Sequence, residues 1–360
     1  MNTRPLSSKN KMPPIASDQT NQNTVGHSRN ATAVEFGFNF QHCAGIVLML
    51  DNIKAAKSVR VEGNTEDVEI TLNNGRKIYA QAKSVTDDEN ANNAIRNLKK
   101  ALLTLNDAYK KNDADKLIYV TNSSNPFNDA STILHFSGSQ SILSYNELPA
   151  VCKKKVREIA ETGKYNIDLE KVFVLVFDFC GDGVNRYRIV AQKINEFLAA
   201  LSLSEKGWGR KLLDHYKLVF TENASQLDRA IEISKEEFVW PIIVWLCDTD
   251  NSNSVLADFD EADVETIMSR FHGVIDDHAG NYNFITKVIS EYDQYASLHP
   301  NKKSKDVTEA FIEEKREMFD SDFNLDGIED DVSCAVVMLA VRRVLDSRRN
   351  IKRISEEVNL

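Results

Sequence analysis

Residues 58–83 alternate between apolar and polar side chains, as two β-strands joined by a tight turn would. In the first strand Val68, Ile70 and Leu72 fall on one face, and carboxylates fall on the other. The second strand sorts in the same way. Its polar face carries Tyr79, Gln81 and Lys83, and its apolar face carries Ile78, Ala80 and Ala82.

Three residues, Asn73, Asn74 and Gly75, separate the two strands. A three-residue loop with glycine in the left-handed conformation is a common hairpin connection. That loop sets Asp67 opposite Gln81, so the polar residues stay together on one face. A face that carries Asp, Glu, Gln and Lys is poorly suited to packing in a hydrophobic core and is well suited to a catalytic site.

The segments around the hairpin read as alternating helices and strands. The pattern predicts an apolar helix at 41–57, an amphipathic helix at 92–111, a buried strand at 117–121, a helix at 151–162, a strand at 172–177 and a helix at 186–203. Residues 242–247 fit either a strand or a buried helix that begins at Pro241, and helical spacing dominates from Asp260 onward. We therefore predict an α/β domain with a mixed sheet flanked by helices, followed by a mainly helical region.

A chain of 360 residues exceeds one typical domain. Residues 1–32 are rich in Asn, Ser, Thr and Pro and predict a disordered tail. We place the α/β domain at 33–204 and a helical regulatory or oligomerisation domain at 205–360. The five cysteines lie far apart in apolar surroundings, which favours reduced core residues in a cytoplasmic protein. The sequence lacks a run of about 20 apolar residues, so no membrane span is expected.

The polar face of the hairpin suits phosphodiester hydrolysis. Asp67 and the Gln81 amide could supply oxygen ligands to Mg²⁺ or Mn²⁺, and Glu62 or Glu69 could supply a third. Lys83 would point into the same site, where it could polarise water or neutralise charge on the phosphorane. The alternative is a solvent-exposed hairpin edge, because such edges carry the same residue types.

The order of helix, acidic strand, turn, Gln-x-Lys strand, helix and strand resembles the PD-(D/E)XK nuclease superfamily, in the variant where glutamine replaces the second acid. The short sequence motifs at 37–41, 61–62, 66–68, 80–83 and 119–122 are similar to motifs in the nuclease domain of the CD-NTase-associated endodeoxyribonucleases. The same nuclease domain is also used in Lamassu-type anti-phage systems. This resemblance implies Asp67 and Gln81 as metal ligands, Lys83 as the catalytic lysine and Glu62 as a less secure ligand. It further implies double-stranded DNA as the substrate.

A formal net charge of −10 argues against indiscriminate nucleic-acid binding, although basic clusters occur at 96–100, 110–111 and 153–155. The sequence contains no phosphate-loop motif, so we do not expect this chain to hydrolyse ATP. Because an uncontrolled nuclease would threaten its own genome, we expect its activity to be gated by oligomerisation or by a sensor. The resemblance suggests an SMC-like ATPase as that partner. A catalytically silent scaffold subunit and a nuclease acting on RNA stay open as alternatives. A turn from Asp322 to Asp326 resembles half of a calcium loop, but a helix cap at Asp326 is favoured.

Overall fold

The computed structural model describes residues 31–86, 91–203, 207–247, 265, 267, 269–325, 328 and 330–360. The predicted tail at 1–32 therefore lies outside the described residues, except for Ala31 and Thr32, which belong to a helix. Asp326, the predicted helix cap, also lies outside them.

One seven-stranded mixed sheet forms the centre of the molecule. Its strands in chain order are β1 (Ala56–Val61), β2 (Val68–Leu72), β3 (Lys77–Lys83), β4 (Ala114–Thr121), β5 (Gln140–Ser144), β6 (Val172–Phe177) and β7 (Ile233–Ser234). Their order across the sheet is β5-β6-β4-β3-β2-β1-β7. β3, β4 and β6 run parallel to one another, whereas the remaining neighbours pair antiparallel.

Helices cover both faces of the sheet and build the C-terminal region. They are α1 (Ala31–Asp51), α2 (Ala91–Tyr109), α3 (Ala150–Gly163), α4 (Arg188–Ala200), α5 (Trp208–Ser225), α6 (Lys235–Leu246), α7 (His272–Ala279), α8 (Tyr282–Ser297), α9 (Ser304–Lys315), α10 (Glu317–Asp320) and α11 (Asp330–Val358). α1, α4 and α5 pack in the core on one face of the sheet, and α2 and α3 pack on the other. The predicted α/β class and helical C-terminal region are confirmed.

The hairpin has the predicted register. Val68 pairs with Ala80, and Gly75 adopts a left-handed φ of +80° in the turn. The apolar face of the hairpin joins the core beneath α1, while Tyr79 on the opposite face joins the core beneath α2. Because both faces are covered, a slip of one residue would place the polar set under α1 and the apolar set under α2.

Several predicted boundaries were wrong. The stretch 58–72, predicted as the first strand of the hairpin, forms two antiparallel strands, β1 and β2. The first helix ends at Asp51 rather than at residue 57, because β1 begins at Ala56. The first helix begins at Ala31 rather than at residue 41, because Phe36 and Phe40 continue its buried face against Phe177 and Phe179. Pro241 does not start a helix but lies inside α6. The start of α6 is a capping box, in which the Ser234 hydroxyl accepts from the Glu237 amide at 3.0 Å.

The segment after residue 204 contributes to the sheet. β7 pairs with β1 through Ser58 and Val59. α5 packs on α1, where the Phe220 ring lies against Gly45. The boundary between residues 204 and 205 stays a prediction, and the sheet includes one strand from beyond it.

α1 is, among the described helices, the one that is long and apolar enough to cross a membrane by length and composition. Most of that stretch, 61%, is buried inside the protein. A buried core helix passes the same test, so this property gives no evidence for or against a membrane span.

Candidate active site

Asp67 contacts three consecutive residues of β3 on the polar face of the hairpin. Its Oδ2 accepts from the backbone amide of Ala82 at 3.0 Å, contacts Gln81 Nε2, and lies 3.4 Å from Lys83 Nζ. β2 and β3 are neighbours in the sheet, so the residue that precedes β2 meets the last residues of β3. The structure therefore brings together the predicted trio Asp67, Gln81 and Lys83.

Gln81 is held in place from the opposite side by α2. The Thr104 hydroxyl donates to Gln81 Oε1 at 2.7 Å. Gln81 is only 4% exposed, and β3 lies inside the sheet between β2 and β4. The alternative of a solvent-exposed hairpin edge is therefore wrong.

Glu62 lies at the end of β1, in the turn that leads to Asp67. Its backbone has a left-handed φ of +52°, and its amide donates to the Asp67 carbonyl at 2.8 Å. Partial burial, together with the nearby Asp67 charge, raises the pKa of its carboxyl. Glu62 thus belongs to the same electrostatic environment as the trio.

Glu69 is bound elsewhere on the polar face. Its carboxylate pairs with Lys77 Nζ at 3.2 Å and accepts from the Thr65 amide at 2.8 Å. Both of its oxygens are therefore engaged, one with a cation and one with the turn. In the described structure Glu69 therefore stabilises the turn, and its ion pair is with Lys77, whereas Lys83 pairs with Asp67.

Glu66 was missed by the sequence analysis. It is 4% exposed, and among the described residues neither carboxylate oxygen accepts a hydrogen bond, because the nearby Thr104 hydroxyl donates to Gln81 Oε1. Burial and then the Asp67 charge raise the pKa of its carboxyl to about 8, although Thr104 and Lys83 nearby favour the charged form. The strict alternation assumed for the strand concealed it, because residues 62–67 form a turn in which a period of two does not apply. The available signal was its position directly before Asp67.

Two cations hold this turn from outside. Arg229 donates to the carbonyl oxygens of Glu62 and Gly63, and Lys111 donates to the Thr65 hydroxyl. Neither forms an ion pair with a carboxylate in the described part of the chain, so both keep a net positive charge. They give the site a basic rim despite the acidic composition of the protein.

The side chains at this site provide some, but not all, of the oxygen ligands that a hard divalent cation needs. Buried carboxylate oxygens without donors, as in Glu66, are suited to cation binding, and Asp67 lies next to it in the chain. Gln81 turns its nitrogen toward Asp67 and its oxygen toward Thr104, so in this arrangement it orients Asp67 rather than acting as a ligand. Within the described ranges, no three acidic, histidine or cysteine side chains are grouped closely enough to hold a metal ion.

The calcium-like turn near residue 322 has a different role. Lys287 Nζ binds the Asp322 carboxylate at 2.7 Å. A ligand carboxylate neutralised by lysine is a poor partner for calcium.

No family model, curated protein or solved structure matches this chain. The resemblance to PD-(D/E)XK nucleases therefore stays a prediction that rests on the motifs quoted above.

Proposed function

We propose that this protein is a metal-dependent endonuclease that cleaves double-stranded DNA. The observation that carries the proposal is the convergence of Asp67, Gln81 and Lys83 beside the unpartnered carboxylate of Glu66. Structural ion pairs are usually exposed or fully compensated, whereas this cluster leaves one buried carboxylate without a donor. Such uncompensated groups are typical of functional sites.

Each residue has a distinct proposed role. Asp67 and Glu66 would hold the metal, and Gln81 would fix the orientation of Asp67. A bound Mg²⁺ or Mn²⁺ would supply Lewis-acid activation of the phosphate and of the attacking water. Lys83, whose side chain is 28% exposed, reaches the open side of the site and would stabilise the negative charge of the phosphorane.

The basic rim supports nucleic acid as the substrate. Arg229 and Lys111 flank the turn that carries Glu62 and Glu66, and both hydrogen-bond neutral oxygen atoms. A local patch of this kind is enough for phosphate contacts even in an acidic protein. The choice of DNA over RNA rests on the family resemblance alone.

We propose further that the protein is an effector subunit of a cytoplasmic anti-phage defence system. This part rests on the resemblance to the nucleases of Lamassu-type systems. A nuclease without a control would damage the host genome, so we propose gating by homo-oligomerisation or by a sensor such as an SMC-like ATPase.

Incubation of the protein with supercoiled plasmid and with RNA, in Mg²⁺, Mn²⁺ or EDTA, tests the proposal. We expect nicking and linearisation of the plasmid that need metal and are lost in Asp67→Ala and Lys83→Ala. Cleavage that persists in both variants or in EDTA would contradict the assigned site. Preferential cleavage of RNA would favour the RNA alternative, and no cleavage even with the neighbouring gene products would favour a silent scaffold.

A further inference from the structure

A groove of about 710 Å³ lies between α5, α6 and the start of α8. Val219 and Ile233 contribute apolar surface to it, Trp240 and Val244 line it from α6, and Tyr282 lines it from α8. None of these residues has a role in the site around Asp67. The groove is a second candidate binding surface of the molecule.

An aromatic pair gives the groove its shape. The rings of Trp240 and Tyr282 meet edge to face with centroids 5.2 Å apart, and Tyr282 is 51% exposed. Trp240 Nε1 already donates to the Gly280 carbonyl at 2.8 Å, so its polar atom is satisfied within the protein. Grooves lined by aromatic side chains bind proline-rich segments in known recognition domains, because the rigid extended form of such segments loses little entropy on binding.

The groove is lined by acidic side chains. Among the described residues, four glutamates and no lysine or arginine line it. Glu232 accepts hydrogen bonds from Thr71, and Glu237 belongs to the capping box of α6. Glu222 and Glu236 are exposed, and their carboxylates make no hydrogen bond or ion pair within the described chain. The groove therefore offers two carboxylates without a hydrogen-bond or ion-pair partner in the described chain, beside an aromatic pair.

The chain contains one segment with the complementary chemistry. Residues 9–15, Lys-Asn-Lys-Met-Pro-Pro-Ile, contain its single Pro-Pro pair, preceded by two lysines. Residues 1–30 carry four basic residues (Arg4, Lys9, Lys11 and Arg29) against one acid (Asp18), a formal charge of +3 in a protein whose net charge is −10.

The segment can reach the groove. Fifteen residues, 16–30, separate Ile15 from Ala31, the first residue of α1, and they span up to roughly 50 Å when extended. α1 itself packs on α5, which forms one wall of the groove: His42 Nδ1 lies 3.3 Å from the Thr221 hydroxyl. The connection is therefore long enough for binding within one chain.

We propose that residues 9–15 bind in this groove of the same chain, with Pro13 and Pro14 against Trp240 and Tyr282 and the two lysines facing Glu222 and Glu236. The assignment is independent of the nuclease proposal. It gives the N-terminal segment a defined binding site on α5 and α6.

Photo-cross-linking in the full-length protein tests this assignment. Met12→p-benzoylphenylalanine places a cross-linker beside the two prolines, and mass spectrometry of a mixture of light and ¹⁵N-labelled protein separates links within one chain from links between copies. We expect links to residues 215–245 or to Tyr282 of the same chain. Links elsewhere, or links between copies only, would overturn the assignment.

A charge swap makes the test specific. Lys9→Glu with Lys11→Glu should lower the yield of the cross-link by roughly tenfold, because two attractions become repulsions. Adding Glu222→Lys and Glu236→Lys, both at exposed positions, should restore the yield. Arg4→Glu with Arg29→Glu makes the same change in net charge outside the segment and should leave the yield unchanged. Equal losses in both pairs of variants would show that only net charge matters and would overturn the proposal.

Discussion

Lys83 Nζ lies 3.4 Å from Asp67 Oδ2, while the neighbouring strand lysine, Lys77, binds Glu69 instead. Both lysines project from the same face of β3 at opposite ends of the strand. Under the proposed function, Lys83→Ala is expected to lower the rate of plasmid cleavage by about 10²- to 10³-fold, since it would remove the charge that stabilises the phosphorane. The initial rate of nicking in saturating Mg²⁺ measures this effect.

Lys77→Ala is the matched control. It removes the same charge from the same strand but disturbs only the partners Glu69 and Glu232. We expect its cleavage rate to stay within a few-fold of the original protein. Equal losses in the two variants would mean that Lys83 contributes through general electrostatics or folding, and not through the site.

Thr104 positions Gln81, and its removal tests that role. Thr104→Val keeps the shape of the side chain but leaves Gln81 Oε1 without its donor at 2.7 Å. A buried acceptor left without a donor costs about 1–3 kcal/mol, and a displaced Gln81 no longer orients Asp67. We expect weaker binding of Mn²⁺ by isothermal titration calorimetry and a slower nicking rate. Thr71→Val, which removes a hydroxyl that binds Glu232, should leave the affinity for Mn²⁺ unchanged.

The buried carboxyl of Glu66 should make stability depend on pH. The folded protein keeps it protonated up to a pKa of about 8, whereas the unfolded chain ionises it near 4.5. Between these values the folded state binds more protons, so the free energy of unfolding falls as pH rises. Glu66→Gln removes this contribution and should stabilise the metal-free protein above pH 8 by on the order of 2 kcal/mol.

Chemical denaturation in EDTA at pH 5 and at pH 8.5 measures this difference. At pH 5 the variant and the original protein should unfold at nearly the same denaturant concentration, because Glu66 is neutral in the folded protein. A constant difference across the pH range would indicate a packing effect, and would contradict the buried ionisable group.

The hairpin was predictable from sequence because its signals are local. Alternation fixed the faces of β2 and β3, and Gly75 fixed the turn, so the meeting of Asp67 with Gln81 followed from register. Glu66 and Thr104 were not predictable in this way. The turn at 62–67 breaks the alternation, and Thr104 meets Gln81 only through the packing of α2 on the sheet. β7 was missed for a similar reason, since a strand of two residues has no period to detect.

The basic rim predicts the salt dependence of DNA binding. Lys111 binds the Thr65 hydroxyl at the turn that carries Glu66, so its charge is free to contact a phosphate. Lys111→Ala should weaken binding of a catalytically inactive Asp67→Ala protein to a DNA duplex. It should also reduce the slope of log affinity against log salt concentration by about 1.

Lys110 provides the control for this measurement. It is the neighbouring residue, but it pairs with Asp107 at 2.6 Å on the exposed surface. We expect Lys110→Ala to leave the salt slope unchanged. A similar change in both variants would indicate a diffuse charge effect and would contradict a specific phosphate contact at Lys111.

Two glycines of α1 test whether α5 is part of the same folding unit as the sheet. A Cβ at Gly45 would lie 2.7 Å from the Phe220 ring of α5, whereas a Cβ at Gly37 would have Ser84 as its nearest neighbour at 3.9 Å. Gly45→Ala should therefore destabilise the protein by about 1–3 kcal/mol, since the Phe220 ring must move. Gly37→Ala should stabilise it by up to about 1 kcal/mol through helix propensity. Thermal unfolding followed by circular dichroism measures both changes. If Gly45→Ala left the protein as stable as Gly37→Ala does, α5 would not pack against α1 as described, and a domain boundary near residue 204 would be supported.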